Sequence, residues 1–522
     1  MKSSHLWAVH DIIKVQRLSQ KPLKNLASQE HPMYIKDRFH QFKLTDFNQP
    51  IGLKMNPENR WVKKAETIPW FAIEDRYSEL FPSKTGMPAK PLRAALGSLI
   101  IQKQYNYSDR ELVEQIIENP YYQYFIGLPG YQQEPPFVPS LLVEFRKRLT
   151  PEILGEINEM IIEFNHPDDK PPKGGADSSD ETASDKVAST DNKGTLMLDA
   201  TCAPQQIAFP QDINLLNEAR KNLEMIIDTI CYEYNEPKPR MYRQNARKDY
   251  LALARKKKRS GKSIRKAIRK QLQYIRRDLR YIDQFLADNK ELCPAHAARL
   301  DVIRKVFEQQ QYMYENKVHS VPDRIVSISQ PYIRPIVRGK AKSPTEFGAK
   351  LDMSFDDHGM ARIEKQSFNA YNESDVLIGA IENYHARTGH YPARVLADKI
   401  YRNRKNLSYC KEHGIRLSGP ALGRPKKDTT EERKQSYTDA VDRIEIERGF
   451  SLAKRCYGLG LIRTKLDTTT RSSICLSIIA MNVDKLTVIS LCDLWKSVLQ
   501  ERWRMILMGI ISINRCPMIF SY

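Results

Sequence analysis

Cysteine is sparse and unclustered: eight residues in 522, at positions 202, 231, 293, 410, 456, 475, 492 and 516, with no CxxC pair and no Cys/His group. That spacing argues against a zinc finger or ribbon and makes a poor disulfide framework, so a reducing cytoplasm is the expected compartment. No secretory leader is expected either, because MKSSHLWAVHDIIKVQRLSQK has no continuous apolar core. Long hydrophobic runs are also lacking. The late segment VISLCDLWKSVLQERWRMILMGIISI is apolar but interrupted by Asp493, Lys496, Glu501, Arg502 and Arg504, so no membrane span is expected. Negative charge is in short supply: only 63 Asp and Glu stand against 83 Lys and Arg, a net of +20. A field of that sign suits a polyanionic partner, either nucleic acid or an anionic membrane surface. A soluble, nucleic-acid-facing protein is the working class.

What is present falls into blocks. Residues 45–165 read as several short helices: PLRAALGSLIIQKQY has apolar residues at helical spacing, and SDRELVEQIIENP opens on a Ser cap with Glu three residues on. PSLLVEFRKRLTPEILGEINEMIIEF adds one or two more with a basic face. Such a series fits a helix-turn-helix-like DNA-binding module or a plain helical packing domain. Residues 166–193, rich in Pro, Gly, Ser, Thr and Asp, predict a disordered acidic linker. Residues 1–44 and 486–522 carry no usable pattern.

Beyond the linker the period changes. GTLMLDATCAP reads as a short strand ending in Asp199, and a long helical region follows from about 213 to 317. Within it, residues 247–280 hold 15 Lys and Arg against two Asp. Arg255, Lys256, Lys257, Lys258, Arg259, Arg265 and Lys266 are the candidate phosphate contacts, a solvated basic face being the alternative. Strand signals return in DRIVSISQPY, in GAKLDMSFDDHGMARIEKQSFNAY and in ARVLADKIY, which delivers Asp398 at its end, with the helix DVLIGAIENYHARTGHYP between the last two. Strands interleaved with helices make an α/β assignment with a mixed sheet.

Two strand-end aspartates and a glutamate on a later helix are a donor set for a hard divalent cation. Asp352, Asp356 and Asp357 are further candidates. The later helix contains DRIEIERGFSLAKRCYGL, with two glutamates. At roughly 100° per residue, Arg443, Glu447, Phe450 and Lys454 share a face, and Glu445 lies roughly 160° round from Glu447. By spacing alone, an Arg443–Glu447 surface ion pair worth a few tenths of a kcal/mol is the simpler reading.

The order of motifs decides further. The R-x3-E-x6-K spacing of Arg443, Glu447 and Lys454 resembles the third-carboxylate block of bacterial insertion-sequence DDE transposases. LMLDATCAP resembles their first-Asp block, and VLADKIYRNRKNLSYCKEHGIRLSGPALGRP their second. NRWVKKAETIPW, ALGSLIIQKQYNYSDRELVEQIIENPYYQYFIGL and PFVPSLLVEFRKRL resemble their helical N-terminal domain. The chain departs from the fuller pattern at Ala440, where relatives have Tyr, and at Ile400, where many have Gly.

The resemblance implies an RNase H-like catalytic domain over 194–485, with the basic helical stretch as an insertion and an all-α N-terminal domain. Asp199, Asp398 and Glu447 would hold Mg²⁺, with Mn²⁺ as a substitute, and Arg443 and Lys454 would hold DNA. It implies metal-dependent cleavage and strand transfer on double-stranded DNA at the element's inverted repeats. A homodimer or larger synaptic assembly, near the bacterial nucleoid and away from membranes, is implied as well. A transposase-derived DNA-binding protein without catalysis, or an RNase H-like nuclease, are the alternatives.

Overall fold

The computed structural model describes residues 34, 36, 43–81, 89–167, 192–337, 345–420, 422–423 and 429–513. Most of the expected acidic linker, 168–191 of 166–193, and most of the N-terminal extension lie outside these residues.

Among the described residues, the part before the expected linker holds seven α-helices: α1 (Arg60–Glu66), α2 (Trp70–Ser78), α3 (Leu92–Tyr105), α4 (Asp109–Glu118), α5 (Pro120–Phe125), α6 (Leu141–Arg148) and α7 (Pro151–Asn165). Their ends are chemically marked. Ser108 and Glu111 form a reciprocal capping box at α4, and Pro120 and Pro151 stand near the N-termini of α5 and α7, where a missing N–H costs nothing. Trp61 packs edge-on against Phe125 and Tyr122, and Trp70 against Phe125. Offset ring contacts of this kind add to the area that the aromatics bury.

A mixed sheet follows, made of β1 (Thr195–Pro204), β2 (Arg334–Val337), β3 (Thr345–Phe355), β4 (Ala361–Ser367), β5 (Arg394–Ala397) and β6 (Arg416–Leu417). The path runs β2-β3-β1-β5-β6, with β4 also paired to β3. β3 is antiparallel to β1, β2 and β4, whereas β1, β5 and β6 run parallel. Helix α12 (Leu377–Thr388) connects β4 to β5, and α13 (Arg404–Glu412) connects β5 to β6. Two long helices are the last elements among the described residues, α14 (Thr430–Cys456) and α15 (Asp467–Ile513).

Between β1 and β2 the chain leaves the sheet for four helices: α8 (Asp212–Glu233), α9 (Arg243–Ala254), α10 (Gly261–Ala287) and α11 (Pro294–Asn316). They bury a cluster of their own around Leu216, Leu223, Ile227, Ile275, Ile282 and Ile303. The expected strand over DRIVSISQPY does not form. Its apolar residues Ile325 and Ile328, three positions apart, pack into this helical cluster instead of pairing in the sheet. An apolar residue every few positions serves either end, so the pattern alone does not distinguish them.

Alternation along the strands sorts the sheet into two faces. Met197, Ala203, Leu351, Met353, Phe355 and Leu396 join one cluster, which continues through Ile446 and Ala453 of α14 and Ile474, Leu476 and Ile479 of α15 into the N-terminal helices. Leu196, Leu198, Val395 and Ala397 face the other way, against Leu377, Ile381 and Tyr384 of α12. Polar links cross the first face as well. Asn482 of α15 donates to Asn158 of α7 at 2.9 Å and to the Ala361 carbonyl at 2.8 Å. Arg362 reaches Glu159 of α7 at 2.9 Å and Asp356 at 2.6 Å.

One stretch departs from the expectation about hydrophobic runs. Asp467–Ser490 of α15 is long and apolar enough to cross a membrane by length and composition, yet 78% of its apolar window is buried inside the protein. Its apolar side chains are those of a core helix.

Candidate functional site

Asp199 is not at the end of its strand: β1 continues five residues past it, to Pro204. What ends near Asp199 is the pairing with β5, whose last partners are Leu198 and Ala397. Asp199 and Asp398 are therefore the next residues in register on adjoining parallel strands. They sit where β5 turns away and β1 carries on beside β3. Both fall on the sheet face that packs against α14, since Met197 and Leu396, two residues earlier on each strand, lie in that cluster.

Short hydrogen bonds hold each carboxylate to its own backbone. Asp199 Oδ1 accepts the Ala200 N–H at 2.8 Å, and Asp398 Oδ1 accepts the Lys399 N–H at 2.7 Å, capping the 3-10 turn Lys399–Tyr401. Burial pushes the Asp199 carboxyl above its ordinary value. The Ala200 N–H and the Arg443 guanidinium pull it back, and the charges of Asp398 and Glu373 push it further up.

Arg443 of α14 reaches down to Asp398, Nη1 to Oδ1 at 3.5 Å. The i,i+4 pair with Glu447 suggested by spacing does not form, because the guanidinium goes to the strand-end carboxylate instead. Helix α14 lies on the sheet along a narrow seam, its buried positions Asp439, Ile446 and Ala453 recurring every seven residues. Gly449 makes the close approach possible: a Cβ there would stand 2.5 Å from Phe355 Cζ at the end of β3.

The two glutamates of this helix differ in company. Glu445 is taken up by Lys485 of α15 at 3.3 Å and by Arg448 at 3.6 Å. Glu447 is exposed, with no ion pair or hydrogen bond among the described residues. The other acidic candidates have structural partners. Asp352 is fully buried and accepts from Tyr371 and Tyr401, Asp356 pairs with Arg362, and Asp357 accepts the Thr195 N–H at 2.8 Å.

The structure thus brings together Asp199, Asp398 and Arg443. Glu447 lies one helical turn beyond Arg443. Among the described residues, no three Asp, Glu, His or Cys side chains gather closely enough to hold a metal ion. The chemistry of the pair itself fits a hard divalent cation: two carboxylates on one face, their repulsion offset by a single guanidinium, with oxygens such an ion takes. Lys454 sits on the same helix two turns after Glu447, half-buried.

The basic candidates of the four-helix insertion stand apart. Arg255, Lys256, Lys257, Lys258 and Arg259 form the exposed turn between α9 and α10. Arg259 is folded back onto that turn, donating to Gln211 and to the Ala254 carbonyl, each at 2.9 Å. Arg265 lies over the Tyr314 ring at 4.2 Å, and Lys266 is exposed. The lysines at the tip are exposed to solvent.

Sequence reasoning missed the partners of Asp352. Nothing local links Tyr371 and Tyr401 to it, since both contacts bridge segments distant in the chain.

Two family models match the chain. Residues 395–484 match the Transposase DDE domain and residues 51–148 match the Transposase domain (DUF772). The first segment contains Asp398, Arg443, Glu447 and Lys454, and Asp199 precedes it. A curated relative, "Uncharacterized protein ORF8 in nfe locus" of Rhizobium meliloti, is 27% identical over 181 residues, covering 35% of this chain and 77% of its own length. No solved structure matches the chain. Similarity to transposases is thus carried by two separate parts of the sequence, of which the later matches a DDE domain.

Proposed function

We propose that this chain, similar to transposases in both matched segments, is the transposase of an insertion sequence, cutting phosphodiester bonds at the element's ends and joining them to target DNA. The observation that carries this reading is the parallel pairing of β1 with β5 as far as Leu198 and Ala397, which makes Asp199 and Asp398 neighbours beneath Arg443. A mixed sheet with helices on both faces supports an RNase H-like catalytic core over 194–485, with the four helices α8–α11 inserted in it and the helices of 45–165 as a DNA-binding region.

Asp199, Asp398 and Glu447 would hold Mg²⁺, or Mn²⁺ in its place. When bound, the ion supplies the positive charge that activates a water or 3′-hydroxyl and steadies the leaving oxygen. Arg443, which pairs with the Asp398 carboxylate, would also face a DNA phosphate beside the site. Lys454 contacts phosphate further along the same helix. The lysines at the α9–α10 tip follow the duplex through non-specific, salt-sensitive contacts. Pairing two ends requires at least two copies of the chain, working on chromosomal DNA in the cytoplasm.

The test is cleavage and strand transfer with labelled duplexes taken from the DNA flanking the gene, in Mg²⁺. Glu447→Gln should lose at least a hundredfold in cleavage while still binding the duplex, and Glu445→Gln should keep it. The reverse result reassigns the third carboxylate. If the wild-type protein binds these ends but cuts none, the chain is a DNA-binding descendant of transposases.

A further inference from the structure

The face of the sheet opposite Asp199 carries a buried polar network that the proposed chemistry leaves unused. Asp352 of β3 is directly opposite Ala200 of β1, so its side chain lies on the face behind Asp199. It is fully inaccessible, as is Tyr401. Tyr401 Oη donates to Asp352 Oδ1 at 2.7 Å, and Tyr371 Oη donates to Oδ2. The pairing of β3 with β4 slips by one residue between Asp352 and Met353, an irregularity of the sort that re-aims side chains.

A buried carboxylate is costly, and an apolar residue would fill the same space without needing two phenols. What distinguishes this one is where Tyr401 comes from. It is the third residue after Asp398, and its N–H donates to the Asp398 carbonyl at 3.0 Å, closing the 3-10 turn. The turn is tied at two further points. Asn406 donates to the Tyr401 carbonyl at 2.8 Å, and Arg402 to the Leu417 and Ser418 carbonyls at 2.5 and 2.9 Å. Of these ties, the Tyr401 hydroxyl bond joins the turn to β3, next to the strand that carries Asp199.

We infer that Tyr401, bonded to buried Asp352, is a positioning residue that sets the Asp398 carboxylate against Asp199 from behind the sheet. This rests on the reading of Asp199 and Asp398 as the cation-holding pair. Loosening the turn lets Asp398 swing while leaving the DNA-binding surfaces in place, and a displacement of about an ångström at a reacting centre costs on the order of a hundredfold in rate.

The experiment compares wild type with Tyr401→Phe and with Tyr401→Phe/Asp352→Asn. Four quantities are read: thermal stability, affinity for the flanking duplex, the kcat and KM of its cleavage, and the midpoint of direct Mn²⁺ binding. Tyr401→Phe should keep duplex affinity and KM, lower kcat at least tenfold and raise the Mn²⁺ midpoint several-fold. The double variant, which no longer buries an under-partnered charge, should regain stability without regaining kcat. A kcat that recovers together with stability makes the network merely structural and overturns the inference, as does a Tyr401→Phe protein with wild-type kcat and Mn²⁺ midpoint. A wild-type protein that neither cuts the duplex nor binds Mn²⁺ overturns the functional reading itself.

Discussion

Replacing Gly449 by alanine probes how tightly α14 is seated on the sheet. The added Cβ would lie 2.5 Å from Phe355 Cζ and 2.6 Å from Cε1, where carbon atoms prefer about 3.5–4.0 Å. Phe355 has little room to yield, being 2% exposed and edge-on to Phe450 at 6.1 Å between centroids. The helix must therefore lift by roughly an ångström. Overpacking of this kind costs about 1–3 kcal/mol, and alanine returns about 1 kcal/mol through its better helix propensity. A net loss of up to about 2 kcal/mol in urea unfolding is expected. Glu447, two residues upstream, moves with the helix, so cleavage should fall further than stability, by about a hundredfold. Adding Phe355→Leu makes room for the methyl group and should restore part of both. If Gly449→Ala is as stable and as active as wild type, α14 is not held at this contact and the seat has been misread.

The four-helix insertion offers a pH test in Asp278, which is fully buried with neither carboxylate oxygen hydrogen-bonded. Burial, and then the charge of Glu224, raise its carboxyl from 3.8 to about 7, against the pull of Arg220, Arg277 and Arg243. The native state keeps this proton where the unfolded chain has lost it, so the contribution is fully present below about pH 4 and is lost as pH rises to about 7. Asp278→Asn should flatten that slope and stabilise the protein at pH 8 by up to a few kcal/mol, measured by urea melts across pH. At the α9–α10 tip, changing Lys256, Lys257 and Lys258 together to Ala should weaken binding to all duplexes alike. The log–log salt slope should fall by roughly 2–3, at about 0.9 for each phosphate no longer neutralised. An unchanged slope would mean that DNA does not touch this tip.

Local chemistry was readable wherever a few neighbouring residues settle the outcome. The Ser108–Glu111 capping box forms as its spacing indicates, and the strand before Asp398 ends at Ala397. Helical phase separated Glu447 from Glu445, and the structure gives them different surroundings, with Glu445 engaged by Lys485. Where an outcome depends on what the rest of the fold brings alongside, the same reasoning failed. Ile325 and Ile328 look like strand residues, but the helical cluster beside them takes their side chains. Arg443 looks like the partner of Glu447, but a strand end some 45 residues earlier in the chain offers it Asp398.

Residue order by itself determined the excess of positive charge, the helical periods, the caps and the aspartate that closes the β5 segment, because each is a property of a residue and its near neighbours. Only the tertiary structure decided that β5 parts from β1 just short of Asp199, and that Asp352 faces away from it toward two tyrosines. Those outcomes depend on strand register, and a register is a relation between distant segments, set by which faces find apolar cover.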